Sequence, residues 1–192
     1  MIVLKRTFDI LFSGFLLMGL SPLLVAIALS IKLTSKGNVI FTQERIGKDK
    51  KPFHMYKFRT MVEGAEESGP QLAIPDDPRV TKTGKILRRY HLDELTQFWN
   101  VLKGDMSVVG PRPEREVYIK EILKKSSEYA RLSEVKPGIT SLGMVKYGYA
   151  SDVDQMVERS KYDLYYLDNK SASLEMKIIA DTILTIFKGK GL

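Results

Sequence analysis

The longest apolar stretch in the chain runs from Ile10 to Ile31, 22 residues without a charge. As one straight helix it would reach about 33 Å, enough to cross a bilayer. It is too long for a secretory leader, and no small-residue cleavage site follows it. Ser21-Pro22 falls near its midpoint. Proline removes a backbone donor and clashes with the preceding turn, while serine can bond a freed carbonyl, so a break is expected there. Lys5 and Arg6 precede the stretch, and Lys32 and Lys36 follow it. Basic residues on both flanks favour placing both ends on the cytoplasmic side, as a re-entrant helix-break-helix would, and a kinked helix crossing once is the alternative. Asp9 is expected at headgroup level.

Beyond this segment the pattern becomes that of a folded domain. Residues 39–43 and 53–58 read as two strands of a hairpin, joined by the polar run Gly47-Lys48-Asp49-Lys50-Lys51. Residues 63–78, rich in glycine, proline and acids, read as a loop around at most a short helix. Leu95, Phe98, Trp99 and Leu102 recur at i, i+3, i+4, i+7, which predicts an amphipathic helix over 93–103 ended by Gly104. A short apolar strand is expected at 106–109, a helix from about Glu114, a turn at 137–140, and two helices over 153–167 and 174–187. The last carries Leu174, Ile178, Ile179, Ile183, Ile186 and Phe187 with lysines nearby, a pattern that suits either a core or a membrane interface. The fold class is therefore α+β, mostly helical with one small β-hairpin.

Charge narrows the partners. The 192 residues carry 30 Lys and Arg against 23 Asp and Glu, a net +7, which fits an anionic partner: phosphorylated substrate, acidic lipid or nucleic acid. There is no cysteine and there are only two histidines, His54 and His91, so disulfides and thiolate metal sites are excluded and an oxygen-bound hard cation stays open.

The candidate chemistry centres on Asp93-Glu94, with Arg88-Arg89 before it and Gly110-Pro111-Arg112-Pro113 after it. Adjacent carboxylates near arginines offer a nucleophile, a metal ligand and phosphate-binding cations together. An acidic pair in the first turn of a helix is also explained by the helix dipole alone. The prolines around Arg112 fix its direction, as anion capture would require, although an ordinary turn before a helix has the same composition.

Five segments in order extend the picture: Phe41-Thr42-Gln43-Glu44-Arg45-Ile46-Gly47, Tyr56-Lys57-Phe58-Arg59-Thr60-Met61, Leu92-Asp93-Glu94-Leu95, Asn100-Val101-Leu102-Lys103-Gly104-Asp105-Met106-Ser107 and Val109-Gly110-Pro111-Arg112-Pro113. Together they resemble the bacterial sugar transferases, the small monotopic phosphoglycosyl transferases. The resemblance implies transfer of a sugar-1-phosphate from a UDP-sugar to undecaprenyl or another polyprenol phosphate, with Mg2+ as cofactor and release of UMP, as the first membrane step of glycan assembly. It implies Asp93 as nucleophile and metal ligand, Glu94 as its essential neighbour, and phosphate contacts from Arg112, Arg88, Lys57 and Arg59, with Pro111 shaping the loop. It further implies a re-entrant membrane helix over 1–36 broken at Ser21 and Pro22, and a catalytic domain over 37–192 with interfacial amphipathic helices. The expected place is the cytoplasmic face of the bacterial inner membrane, against phospholipid, with no nucleic acid partner. The length resembles that of the minimal family members.

Thr96 departs from the family's usual proline, and Ser141, Met144 and Lys146-Tyr147-Gly148-Tyr149 depart from its usual residues after the Gly-Ile-Thr turn, where relatives shape the donor pocket. The same carboxylate pair is also compatible with a Mg2+-dependent phosphohydrolase, and the basic surface with a non-enzymatic membrane scaffold.

The re-entrant reading predicts that Ile2→Cys and Lys36→Cys, introduced singly into this cysteine-free chain, are both shielded in intact cells from a thiol reagent that cannot cross the membrane. Labelling of only position 2 from outside would support a helix that crosses once.

Overall fold

The computed structural model describes residues 2–67, 69–72, 74 and 76–189. The apolar N-terminal stretch forms two helices, α1 (Ile2–Gly19) and α2 (Ser21–Thr34), bent by 62° at the break between them. Pro22 cannot bond back to the carbonyl of Met18, and the Ser21 hydroxyl donates to that carbonyl at 2.8 Å instead. The local chemistry of the break thus satisfies the acceptor that proline would leave bare. Among the described residues no single helix is long and apolar enough to cross a membrane.

Both helices are fastened to the same domain. In α1, Arg6 donates to the carbonyls of Val101 and Leu102 at 2.6 and 3.0 Å, and Lys5 bonds the Val109 carbonyl and Glu175. Asp9, expected at headgroup level, is buried in the protein and accepts from the Ser107 hydroxyl at 2.8 Å and the Val108 N–H at 3.1 Å. In α2, Ile27 and Ile31 bury against Phe58 and Leu87. The faces turned away stay bare: Leu11, Phe15, Met18, Val25, Leu29 and Leu33 are exposed.

The hairpin pairs β1 (Ile40–Ile46) with β2 (Pro52–Phe58), antiparallel and in register from Ile40 opposite Phe58 to Ile46 opposite Pro52. No helix or strand forms among the described residues of 63–78. Then come α3 (Lys82–Arg89), a 3-10 turn at Leu92–Glu94, and α4 (Gln97–Lys103), capped by Gly104 in the left-handed region. The helix expected from residue 93 therefore begins four residues later. Its apolar face is also not the one the spacing suggests: Phe98 and Val101 are buried with Gln97 and Asn100, and Trp99 is 55% exposed. Asn100 overrides the pattern because its amide ties α4 to β2, accepting from Tyr56 N–H at 3.1 Å and donating to His54 carbonyl at 2.7 Å.

The strand β3 (Ser107–Val109) pairs in parallel with β4 (Gly138–Thr140), the segment read from sequence as a turn. A Cβ on Gly138 would lie 2.2 Å from Gly110 N, so this close crossing needs glycine. Between these strands lie α5 (Glu116–Lys125) and a 3-10 stretch, Ser127–Glu134. The chain closes with α6 (Leu142–Lys146), α7 (Val153–Asp168) and α8 (Ala172–Phe187). In α8, Ile178 and Ile179 enter the core beside Met55, Val101 and Met106. Ile183 and Phe187 remain exposed, at 46% and 81%, so only part of the predicted face is core.

Replacing Asp9 by leucine leaves the Ser107 hydroxyl and the Val108 N–H buried without acceptors, at a cost of about 1–3 kcal/mol each. Asp9→Leu is expected to lower the thermal midpoint of the purified protein in lipid discs well below wild type, with Asp9→Asn falling in between.

Candidate active site

The acidic pair sits on the 3-10 turn, entered through His91 in the left-handed region at φ 54°. A non-glycine residue held there is a local strain that the surroundings must overcome. The turn is pinned to the hairpin by Thr96, whose hydroxyl donates to the Tyr56 carbonyl at 2.9 Å, a tether that proline at this position would lack. Neither carboxylate caps α4, whose N-terminus has no side-chain cap and no acid in its first turn, so capping of that helix does not explain the pair.

Asp93 and Glu94 are both buried, 8% exposed, and their surroundings divide them. Lys57 of β2 donates to Glu94 Oε1 at 2.7 Å, and Arg112 Nη2 lies 3.6 Å from the same oxygen. Burial opposes the charge on Glu94, but Lys57 and Arg112 outweigh it and hold the carboxyl well down, at about 2. Asp93 accepts no hydrogen bond among the described residues, and its pKa is raised, chiefly by burial with the neighbouring Glu94 adding, against Lys57 and Arg88. One carboxylate is tied up by cations and its neighbour is left free.

Arg112 is directed by its backbone as well as its side chain. Its N–H donates to Asp163 of α7 at 3.2 Å, the other oxygen of Asp163 accepts from Gly143 N–H at 2.8 Å, and its guanidinium lies over the Tyr149 ring, 5.7 Å from the centroid. Pro111 is not among the residues that line the cavity of Asp93; its carbonyl accepts the Gly138 N–H at 2.9 Å and so fixes the loop to β4. Arg88 donates to Thr60 Oγ1 at 2.9 Å and shares a cavity with Asp93. Arg59 lines that cavity too, but its guanidinium is committed to the carbonyls of Ser35 and Lys36 at the end of α2. Its visible work is to hold the end of α2.

Two cavities meet at Glu94 and Arg112. One, of about 610 Å³, contains Asp93 and is walled by the hairpin and by residues 63–67. It also receives Arg45, Arg115 and Arg159, functional candidates that sequence reasoning missed. Arg45 and Arg159 both bond Glu114, and Arg115 bonds Glu66 at 2.9 Å. Arg45 and Arg115 lie within or next to the quoted motifs, whereas Arg159 is on a distant helix with no local signal. The second cavity, of about 290 Å³, is almost wholly apolar and lies among α1, α4 and α8. Glu94 and Arg112 line both.

Among the described residues no three His, Cys, Asp or Glu side chains converge as a metal cage. Mg2+ is commonly held by one or two carboxylates together with substrate phosphates and waters. Asp93 fits that use as a single protein ligand, because its oxygens are unengaged; Glu94 fits less well, since Lys57 already bonds its Oε1.

Fold and site define an α+β protein with a cation-compensated carboxylate pair, suited to a phosphorylated ligand, beside a broad apolar surface. The chain belongs to the bacterial sugar transferase family, whose sequence profile matches residues 1–189. It is 43% identical over 188 residues to a protein of Aeromonas hydrophila named UDP-N-acetylgalactosamine-undecaprenyl-phosphate N-acetylgalactosaminephosphotransferase, covering 98% of this chain and 44% of that one. It is 44% identical over 189 residues to a UDP-glucose:undecaprenyl-phosphate glucose-1-phosphate transferase of Klebsiella pneumoniae, covering 97% of this chain and 40% of the relative. A match of 40% identity to the exopolysaccharide production protein PSS of Rhizobium leguminosarum bv. phaseoli covers 99% of this chain and 98% of the relative. The chain thus spans less than half the length of the first two.

Lys57→Met removes the strongest of the cations holding Glu94 down. A carboxyl held near 2 against about 4.3 in the unfolded chain contributes about 3 kcal/mol above the unfolded pKa, lost as pH falls through the folded one. The variant is therefore expected to melt well below wild type at pH 7, with the difference shrinking as pH falls from about 4 toward 2. A gap of constant size across that window would contradict the pairing.

Proposed function

We propose that this protein transfers a sugar-1-phosphate from a UDP-sugar to undecaprenyl or a related polyprenol phosphate, by way of a covalent aspartyl-phosphosugar. The observation that carries this reading is the division of the carboxylate pair: Asp93 is free and faces a cavity lined by cations, while Glu94 is held by Lys57 and Arg112.

In the first step an Asp93 oxygen attacks the phosphorus that bears the sugar. The bond from that phosphorus to the bridging oxygen breaks, and UMP leaves with the electron pair. In the second, an oxygen of the polyprenol phosphate attacks the same phosphorus, the bond to Asp93 breaks, and the products are polyprenyl-diphosphate-sugar and the free carboxylate. Attack by an anion on an anionic diphosphate is opposed by charge repulsion, so fixed cations supply much of the stabilisation. Arg112 and Arg88, which line the cavity of Asp93, would supply it. Bound Mg2+, held by Asp93 and the diphosphate, would neutralise further charge on the phosphate oxygens and on the leaving group. Glu94, paired to Lys57, keeps that lysine and Arg112 fixed beside the reacting phosphorus.

The membrane arrangement follows the same reading. The start of α1 and the end of α2 both pack on one domain, and a bent pair with an exposed apolar tip supports entry into and exit from a single leaflet. The relatives' names supply the substrate classes, and the cytoplasmic face of the bacterial inner membrane is where UDP-sugars are available to such a domain.

Purified protein with Mg2+ and a set of UDP-sugars, with and without undecaprenyl phosphate, tests the proposal. UMP release and lipid-linked sugar phosphate are expected from wild type. Asp93→Asn is expected to lose both by at least about 10³-fold, as removal of a nucleophile does. Full activity in that variant would remove Asp93 from the role, and phosphate release independent of lipid would make the protein a phosphohydrolase.

A further inference from the structure

The apolar cavity of about 290 Å³ has no role in the steps proposed for the donor, yet it shares Glu94 and Arg112 with the cation-lined cavity. Its walls include Leu16 and Leu20 of α1, Phe98 of α4, and Ile179, Ile183 and Ile186 of α8. Leu20 is the residue at the helix break, and the surface around this end is apolar and bare, with Met18 at 78%, Leu184 at 55% and Phe187 at 81% exposed. The other end is polar. There Glu94 and Arg112 form the partition between the two cavities, and His91 lines the same wall with a buried Nδ1 that has no hydrogen-bond partner.

A uridine diphosphate-sugar would desolvate its polar groups against such walls without replacing their hydrogen bonds. A hydrocarbon chain ending in a phosphate matches both ends: apolar walls take the chain, and a guanidinium with an unpartnered imidazole nitrogen takes the anion. The volume is at the small end of ligand cavities, which run to about 300–1,000 Å³, and so accommodates the part of one chain nearest its head while the remainder continues along the bare apolar surface. We propose that this groove seats the head-proximal isoprenoid units of the polyprenyl phosphate acceptor, with its phosphate between Arg112 and His91. The acceptor phosphate then lies beside Glu94 and Arg112, which also line the cavity that contains Asp93, so it can reach the face of the phosphorus that UMP has left. This rests on the transferase reading for the acceptor's identity, but the occupancy of the groove is measurable without turnover.

The test uses the full chain in lipid discs of phosphatidylethanolamine and phosphatidylglycerol, with a polyprenyl phosphate carrying a diazirine in its first isoprene units. After irradiation, label is expected on peptides containing Phe98 and residues 179–186, suppressed at least about tenfold by excess unlabelled polyprenyl phosphate and not by the same excess of phosphatidylglycerol. Ile183→Trp, which fills the groove, is expected to lower that labelling at least about tenfold and to raise the KM for polyprenyl phosphate by a similar factor. Label confined to the outward faces of α1 and α2, or displaced equally by phosphatidylglycerol, overturns the proposal. UMP release on the same preparation separates the two readings: competed groove label without UMP release upholds the groove and removes the transferase reading, whereas UMP release without groove label removes the groove alone.

Discussion

Two adjacent carboxylates buried together cannot both be ionised unless something compensates at least one of them. Here the compensation is unequal, with Lys57 and Arg112 converging on Glu94. Much of the domain serves to bring those two cations to that point. The hairpin delivers Lys57 and is locked to α4 through Asn100 and Thr96. The parallel β3–β4 crossing, possible because Gly110 and Gly138 lack side chains, sets the start of the loop that carries Arg112, and Asp163 holds its backbone from α7. The result is a carboxylate pair with opposite properties: Glu94 acidic and engaged, Asp93 less acidic and available.

The N-terminal helices are part of the same construction. Asp9 and Arg6 reach β3 and the end of α4, and Arg59, next to the end of β2, closes on the carbonyls of Ser35 and Lys36 just after α2. The break at Ser21-Pro22 is therefore not free to move independently of the site. A surface of bare Phe15, Met18, Leu33 and Phe187 lies on the same domain, so the exposed apolar surface and the cations around the carboxylate pair are held in one frame. In the proposed transferase that coupling would bring a water-borne donor and a lipid-borne acceptor to the same carboxylate.

Elements with a strong local signal were legible. The hairpin, α7 and α8 have sustained periodicity and clear caps, and the Ser21-Pro22 break is written into the chemistry of those two residues. Asp93, Glu94 and Arg112 were legible as candidates because unusual residue types stand in a short span. Three things were not: β4, whose three residues are too few to show a period; the 3-10 turn, where strain at His91 overrides the apolar spacing that suggests a longer helix; and the burial of Asn100, whose polar side chain breaks the pattern it stabilises.

The sequence by itself determined the apolar N-terminal segment with its break, the α+β composition and the identity of the charged residues near the pair, since each depends on neighbours in the chain. Only the tertiary structure decided which carboxylate is free, that Arg59 holds α2 rather than facing Asp93 alone, and that Arg45, Arg115 and Arg159 join the cavity. Charge compensation acts through space over a few ångströms, and residues 37 or more positions apart, such as Lys57 and Glu94, meet only when the whole domain has packed.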